Sequence, residues 1–495
     1  MMNEMPTNNR IQLALISHTN AGKTTLTRTL LGMDVGEVRD APHVTVSSES
    51  HALLTTEAGD RLELWDTPGF GDSVRLLKRL SFSDNPIGWF LREIIDRYRD
   101  LPFWLSQQAM RTARDAADVV LYLVNSSEDP RDTGYLIPEM KILQWLDKPV
   151  VVLLNQMGRP RPAAEEAAEQ QRWKDFLADY PVVKRVIALD AFARCWIHER
   201  VFFEALGELI APAQQPAYAR LLQEWEQQNE ARLHAATRLI ADHLIAAARD
   251  SEIVETGGRP IVGSVLKVIG MGKQREAAHV NKAMNVLMTR LNERILATTT
   301  ALLKIYRLDA GAATKINERV SQCVVVRAPV DTKQAGLIGA LVSGATTGVS
   351  ADLLSGGLTF GAGALVGALI GALTFTGAAW AFNTQTDRNE PKVQFSDEFL
   401  RTLVVTSLLR YLAVAHFGRG RGNFVESEAP AFWQKEVEEL VATHEKKLND
   451  AWRSARNDNP GSTADPDRSQ NEATASLANV LAQMILEVLK NLYPR

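Results

Sequence analysis

Through residues 1–212, short and nearly unbroken apolar runs alternate with stretches of helical periodicity. Ile11–Ile16 (IQLALI), Arg61–Trp65 (RLELW), 117–130 (ADVVLYLVNSSEDP), 148–158 (KPVVVLLNQMG) and 182–192 (VVKRVIALDAF) each read as a strand. Runs this continuous suit strands buried on both faces, and helical stretches between them predict a mostly parallel sheet with helices on both sides.

The period changes after Pro212–Pro216 (PAQQP), which reads as a domain boundary. Leu222, Asn229, Leu233, Ala236, Ile240, Leu244 and Ala247 recur at helical spacing, as do Met284, Leu287, Leu291 and Ile295 in a second helix over 280–306. Leu477, Leu481, Met484, Val488 and Leu492 mark an amphipathic helix near the end. Such stripes predict helix-on-helix packing. The chain divides into 1–212, a helical domain over 213–334, a glycine-rich hydrophobic segment over 335–382, and a helical region over 383–495. A polar, proline-containing linker is expected at about 455–475.

Segment 335–382 carries one charge, Asp352, with small residues every fourth position: Ala340, Gly344 and Gly348, then Gly363, Gly367 and Gly371. That spacing lets helices approach closely, as they do in lipid. The segment reads as a hairpin entering the membrane from the cytoplasmic side, with VSADLLSGG as its turn and Lys333 and Arg388 outside it. A pair of glycine-rich core helices is the alternative. The first limb is shorter than the roughly 20 residues a spanning helix needs; the second is long enough.

Composition changes this picture little. The 495 residues are 45% hydrophobic with a net charge of −4, which gives no reason to expect nucleic acid as a partner. Two cysteines, Cys195 and Cys323, suit a reducing compartment. The opening MMNEMPTNNR shows no secretory pattern, so the expected location is the cytoplasm, at the inner face of the cell membrane.

The candidate chemistry lies at the ends of the first strands. SHTNAGKTTL (17–26) follows one strand and opens a helix, with Ser17 where the phosphate-loop pattern has its first glycine. In this context the backbone of Asn20, Ala21, Gly22, Lys23, Thr24 and Thr25 wraps phosphates, Lys23 reaches the β- and γ-phosphates, and Thr24 serves magnesium. DTPG (66–69) ends another strand, where Asp66 belongs on the magnesium side and Gly69 faces the γ-phosphate. Between them Thr45 is the candidate switch threonine, on the magnesium and the γ-phosphate.

With TNAGKTT, Thr45 and WDTPG, the first 210 or so residues resemble the TrmE–Era class of bacterial GTPases. The whole chain also looks like a bacterial family joining this domain to an uncharacterised helical half. The resemblance implies GTP and GDP as ligands and hydrolysis with magnesium. It also implies potassium held by Asn20, with a charge clamp completed when two nucleotide-bound domains pair. Phe70 stands where a water-orienting glutamine is found in Ras-like enzymes. The guanine pattern N-K-x-D departs here to NQMG: Asn155 remains, Lys becomes Gln156 and Asp becomes Gly158. Asp190, at the end of the next strand, either replaces that carboxylate or caps a helix. The expected function is GTP hydrolysis coupled to a membrane-associating helical module. The rivals are a nucleotide switch without turnover and a membrane-assembly protein driven by hydrolysis.

Overall fold

The computed structural model describes residues 9–32, 49–80, 100–157, 161, 163–190, 196–254, 274–308, 380–383, 392–416, 431–456 and 466–492. The chain forms two compact units. The first holds Met1–Glu230 with Ala415–Gly422, the second Ala231–Val414 with Asn423–Arg495.

Unit one is built on a six-stranded sheet of order β2-β3-β1-β4-β5-β6. Its strands are β1 (Arg10–Ser17), β2 (Glu49–Thr55), β3 (Arg61–Asp66), β4 (Val119–Asn125), β5 (Val150–Asn155) and β6 (Val183–Ala188). Only β2 runs antiparallel to its neighbour; the other pairings are parallel. Alternate residues serve opposite faces, as the strand period of two requires. On one face Ala14, Ile16, Val120, Tyr122 and Val152 pack against α3 (Leu101–Asp115), α4 (Leu136–Leu146) and α5 (Ala163–Leu177). On the other, Leu13, Leu15, Leu121 and Leu153 meet α1 (Lys23–Leu31), α6 (Trp196–Gly207) and the start of α7 (Gln215–Arg249). A short helix, α2 (Ser73–Leu80), follows β3 and packs on α4.

The boundary expected at 212–216 coincides with the start of α7. The first turns of this helix belong to unit one, where Tyr218, Leu221 and Trp225 join the core under β1 and β4. Arg220 forks onto both oxygens of Asp60 at 2.8 Å, in the turn between β2 and β3. The division between units falls inside α7, after Glu230. Proline is tolerated in the first turn of a helix, where its missing N–H has no acceptor to lose, so Pro216 starts this helix instead of ending a domain.

In unit two, the rest of α7 buries Leu233, Ala236, Ile240, Leu244 and Ala247, and α8 (Gln274–Ile305) buries Met284, Leu287, Leu291 and Ile295. They are accompanied by α9 (Asp397–Ala415), α10 (Ala431–Thr443), α11 (Glu445–Arg456) and α12 (Pro466–Leu492). A small antiparallel sheet joins β7 (Ser251–Ile253), β8 (Trp380–Asn383) and β9 (Lys392–Phe395), with β9 central. Arg290 and Arg294 both pair with Asp250 beside it.

Two more expected boundaries move. α12 already starts at Pro466, inside the linker expected at 455–475 and again with a proline in a first turn, while 457–465 lie outside the described residues. The glycine-rich segment ends before Trp380, since Trp380–Phe382 pairs with β9. The remainder of that segment, 335–379, lies outside the described residues. Among the described residues one helix, Gln470–Leu492, is long and apolar enough to cross a membrane. Its Leu477, Leu481, Met484, Val488 and Leu492 are buried in the protein.

Candidate functional site

The loop from Ser17 to Gly22 leaves β1 at the point where strand order reverses, the usual ligand crevice of an open parallel sheet. Two residues in the left-handed region shape it, Asn20 (φ 64°) and Gly22 (φ 93°). A Cβ on Gly22 would lie 2.8 Å from the amide nitrogen of Asn155, so the turn requires glycine twice over. No side chain caps the start of α1 and its first turn holds no acid, an arrangement that suits an anion at the helix start.

Lys23 is buried and donates to the Ser17 hydroxyl at 2.8 Å, so Ser17 supplies an acceptor where the usual pattern has glycine. Burial pushes the Lys23 ammonium down to about 8, against the opposing pull of Asp66 and Glu139. The register of β1 on β3 sets Asp66 opposite Leu15. Thr24 Oγ1 donates to Asp66 Oδ2 at 2.8 Å, while Asp66 Oδ1 is buried without a partner. Burial raises the Asp66 carboxyl above its ordinary range, with Lys23 and Thr24 opposing. An orphaned oxygen beside a threonine hydroxyl is a hard donor pair of the kind magnesium takes.

The DTPG turn is fastened to this loop. Thr67 Oγ1 donates to the Leu15 carbonyl at 2.7 Å, Phe70 N–H to Ser17 O at 2.9 Å, and Thr19 N–H to Phe70 O at 3.3 Å. Gly69 sits so near Lys23 that an added Cβ would be 2.9 Å from its Nζ. The Phe70 ring is fully buried in the core and unable to orient water. Asn20 is exposed at the loop's outer side, and Thr25 is buried on α1. Thr45 lies outside the described residues, as does Gly158.

The base side is arranged differently. Asn155 is fully buried at the end of β5, and its Nδ2 donates to Ala21 O at 2.9 Å, bracing the phosphate loop. Gln156, with φ 57°, reaches the Asn20 carbonyl at 3.5 Å. Asp190 is buried; its Oδ2 accepts from the Met157 N–H at 2.8 Å and pins the backbone that follows Gln156. Glu166 lies within electrostatic reach of Asp190, its carboxyl pushed up by partial burial.

The sequence motifs did not point to Glu139. It is fully buried on α4, where it accepts from Ser73 Oγ and from Tyr122 OH (2.5 Å) and meets His18 Nδ1 at 2.8 Å. His18 stacks on Tyr135 with ring centroids 4.0 Å apart. The available signal was a carboxylate on the apolar face of LIPEMKILQWL, between Leu136 and Leu143.

Comparison with known proteins divides the chain within unit one, before β6. The family described as "Domain of unknown function (DUF3482)" matches residues 182–483. The chain belongs to this family. The family described as "50S ribosome-binding GTPase" matches residues 12–156, which span the phosphate loop, DTPG and Asn155. Residues 12–156 therefore carry a GTPase domain, followed from residue 182 by a separate family domain. No curated protein matches the chain. Among solved structures, a single-residue variant of Aquifex aeolicus Era bound to GDP and AlF4− is 16% identical with a TM-score of 0.31. That alignment covers 60% of this chain and 89% of that one. Era in complex with MgGDPNP and a 16S ribosomal RNA segment is 17% identical with a TM-score of 0.31, covering 57% and 89%.

Proposed function

We propose that the protein binds GTP with magnesium and hydrolyses it to GDP and phosphate, using the cycle to control a membrane-associating helical module. The observation that carries the reading is the cluster of Lys23, Thr24, Asp66 and Gly69. It sets a buried cation, a threonine hydroxyl, an orphaned carboxylate oxygen and a closely packed glycine beside a helix start with no side-chain cap. Lys23 neutralises the β- and γ-phosphates, and the N–H groups of Ala21 to Thr25 hold the phosphate oxygens. Thr24, Asp66 and Thr45 would hold a magnesium ion, which would withdraw charge from the phosphates. Gly69 and Thr45 sense the γ-phosphate.

The buried Phe70 cannot orient water, and exposed Asn20 would hold a potassium ion that would supply added positive charge in a nucleotide-dependent pair of domains. Asn155 holds the loop to which the base docks, and Asp190 shapes that loop where the usual carboxylate is missing. The sequence of 335–379, almost free of charge and rich in small residues, supports lipid contact at the inner face of the cytoplasmic membrane. Phosphate release from GTP by the full chain tests the reading. Magnesium-dependent release that Lys23→Ala abolishes supports it; release unchanged by that substitution overturns it.

A further inference from the structure

Glu139 is a carboxylate that the reaction itself does not call on, yet it is among the most completely buried charged side chains described. A buried carboxylate is tolerated only when hydrogen bonds replace its water. Here three donors do so, and they come from three different parts of the site. Tyr122 reaches Oε2 from β4 at 2.5 Å. Ser73, the first residue of α2, donates to Oε1. His18, inside the phosphate loop, meets the same Oε1 through Nδ1 at 2.8 Å.

Ser73 is four residues beyond Gly69, and little slack separates them. Phe70 is tied to Ser17, Gly71 N–H donates to Ser106 Oγ at 2.9 Å, and Asp72 caps α2 through Arg75 N–H at 2.9 Å. Anchoring Ser73 therefore holds Gly69 where it stands, beside the Lys23 ammonium. That is where a γ-phosphate on Lys23 would meet the Gly69 N–H.

On the reading that the site takes GTP, we propose that Glu139 is a positioning residue. It latches the start of α2 and the phosphate loop to one oxygen, so that Gly69 is held ready for a γ-phosphate. The latch favours GTP over GDP, because only GTP gains from a pre-placed Gly69. A ligand shifts such an equilibrium only by its difference in affinity for the two arrangements, and that difference is what the latch supplies.

The test is titration of the full-length chain with fluorescent GDP and a fluorescent nonhydrolysable GTP analogue, both with magnesium. Ser73→Ala is expected to weaken the GTP analogue about tenfold, the worth of one hydrogen bond to a charged group, with GDP nearly unchanged. Ser73→Thr, which keeps the hydroxyl, restores the ratio. Glu139→Gln lowers the ratio similarly, and adding Ser73→Ala to it lowers the ratio no further, since both act through one contact. Equal weakening of both nucleotides by Ser73→Ala would mean a merely structural role and overturns the latch, as does an unchanged ratio. Wild-type protein that binds neither nucleotide overturns the GTP reading itself and is plainly distinct from either result.

Discussion

The two ends of the nucleotide site are built on different terms. At the proposed phosphate end, Lys23 is buried on Ser17, Thr24 bonds Asp66 and Gly69 lies against Lys23. At the base end, the side chains are spent on backbone. Asn155 holds Ala21, Gln156 reaches Asn20, and Asp190 holds Met157. The match to the GTPase family stops at residue 156, and the match to the second family begins at residue 182, taking in β6 and Asp190. Phosphate binding needs oriented N–H groups and charge, which one short loop and one helix supply. Reading a base needs paired hydrogen bonds from a precise surface, and on the proposed reading the residues nearest the base come from two segments.

The comparison predicts large effects at the phosphate end and smaller, nucleotide-specific effects at the base end. The largest concerns turnover. Replacing sodium with potassium is expected to raise the GTP hydrolysis rate by up to about 10³, the scale of an added positive charge in such sites. Asn20→Ala removes the difference; equal rates in the two salts at saturating GTP would refute the role given to Asn20.

Lys23→Ala comes next. It should weaken GTP and ATP alike by about a hundredfold or more, because charge-assisted bonds to phosphate are lost. Circular dichroism should remain that of the wild type. An effect on one nucleotide alone would place Lys23 at the base end and break the comparison.

A smaller effect follows from the depressed Lys23 value. In the free protein the ammonium loses its proton at about 8, and phosphate contact favours the charged form. Below that pH the lysine is already charged and affinity is flat. Above it, binding takes up a proton, and affinity falls by up to about tenfold per pH unit until the bound-state value is passed. The free chain behaves oppositely: its stability contribution from this group rises with pH between about 8 and the ordinary 10.5, where the unfolded state binds more protons. Calorimetry at pH 9 in buffers of differing ionisation heat measures the uptake, and none is expected in Lys23→Ala.

The fold of unit one was legible because a buried parallel strand writes itself as a continuous apolar run, as in IQLALI and the β4 and β5 segments. Asp66 and Lys23 were legible because each follows such a strand in a fixed motif. Proline stands at two of the expected boundaries. Pro216 and Pro466 look like breaks, yet each occupies a helix's first turn, which hid the passage of α7 across the unit boundary and the early start of α12. Trp380–Phe382 read as the tail of an apolar segment because its partner strand, Lys392–Phe395, is recognisable only once paired. The Glu139 cluster was invisible for the same reason. His18, Ser73 and Tyr122 are distant in sequence, and nothing local marks a serine or tyrosine as a carboxylate's donor.

The smallest expected effect bears on the base end. Asp190→Ala frees the Met157 N–H and loosens the turn that faces the base. GTP should weaken by about tenfold, the worth of a hydrogen bond to a charged group, and ATP by less. Equal loss for both nucleotides would make Asp190 a general support and leave base choice to other residues.

The most direct test of the account is a side-by-side titration of the full-length chain with GTP, ATP and XTP in the presence of magnesium. A phosphate end of the usual kind with a rebuilt but guanine-selective base end predicts that GTP binds more tightly than ATP and XTP. It also predicts that Lys23→Ala abolishes tight binding of all three. Binding of ATP as tight as that of GTP, or of no nucleotide at all, would contradict it.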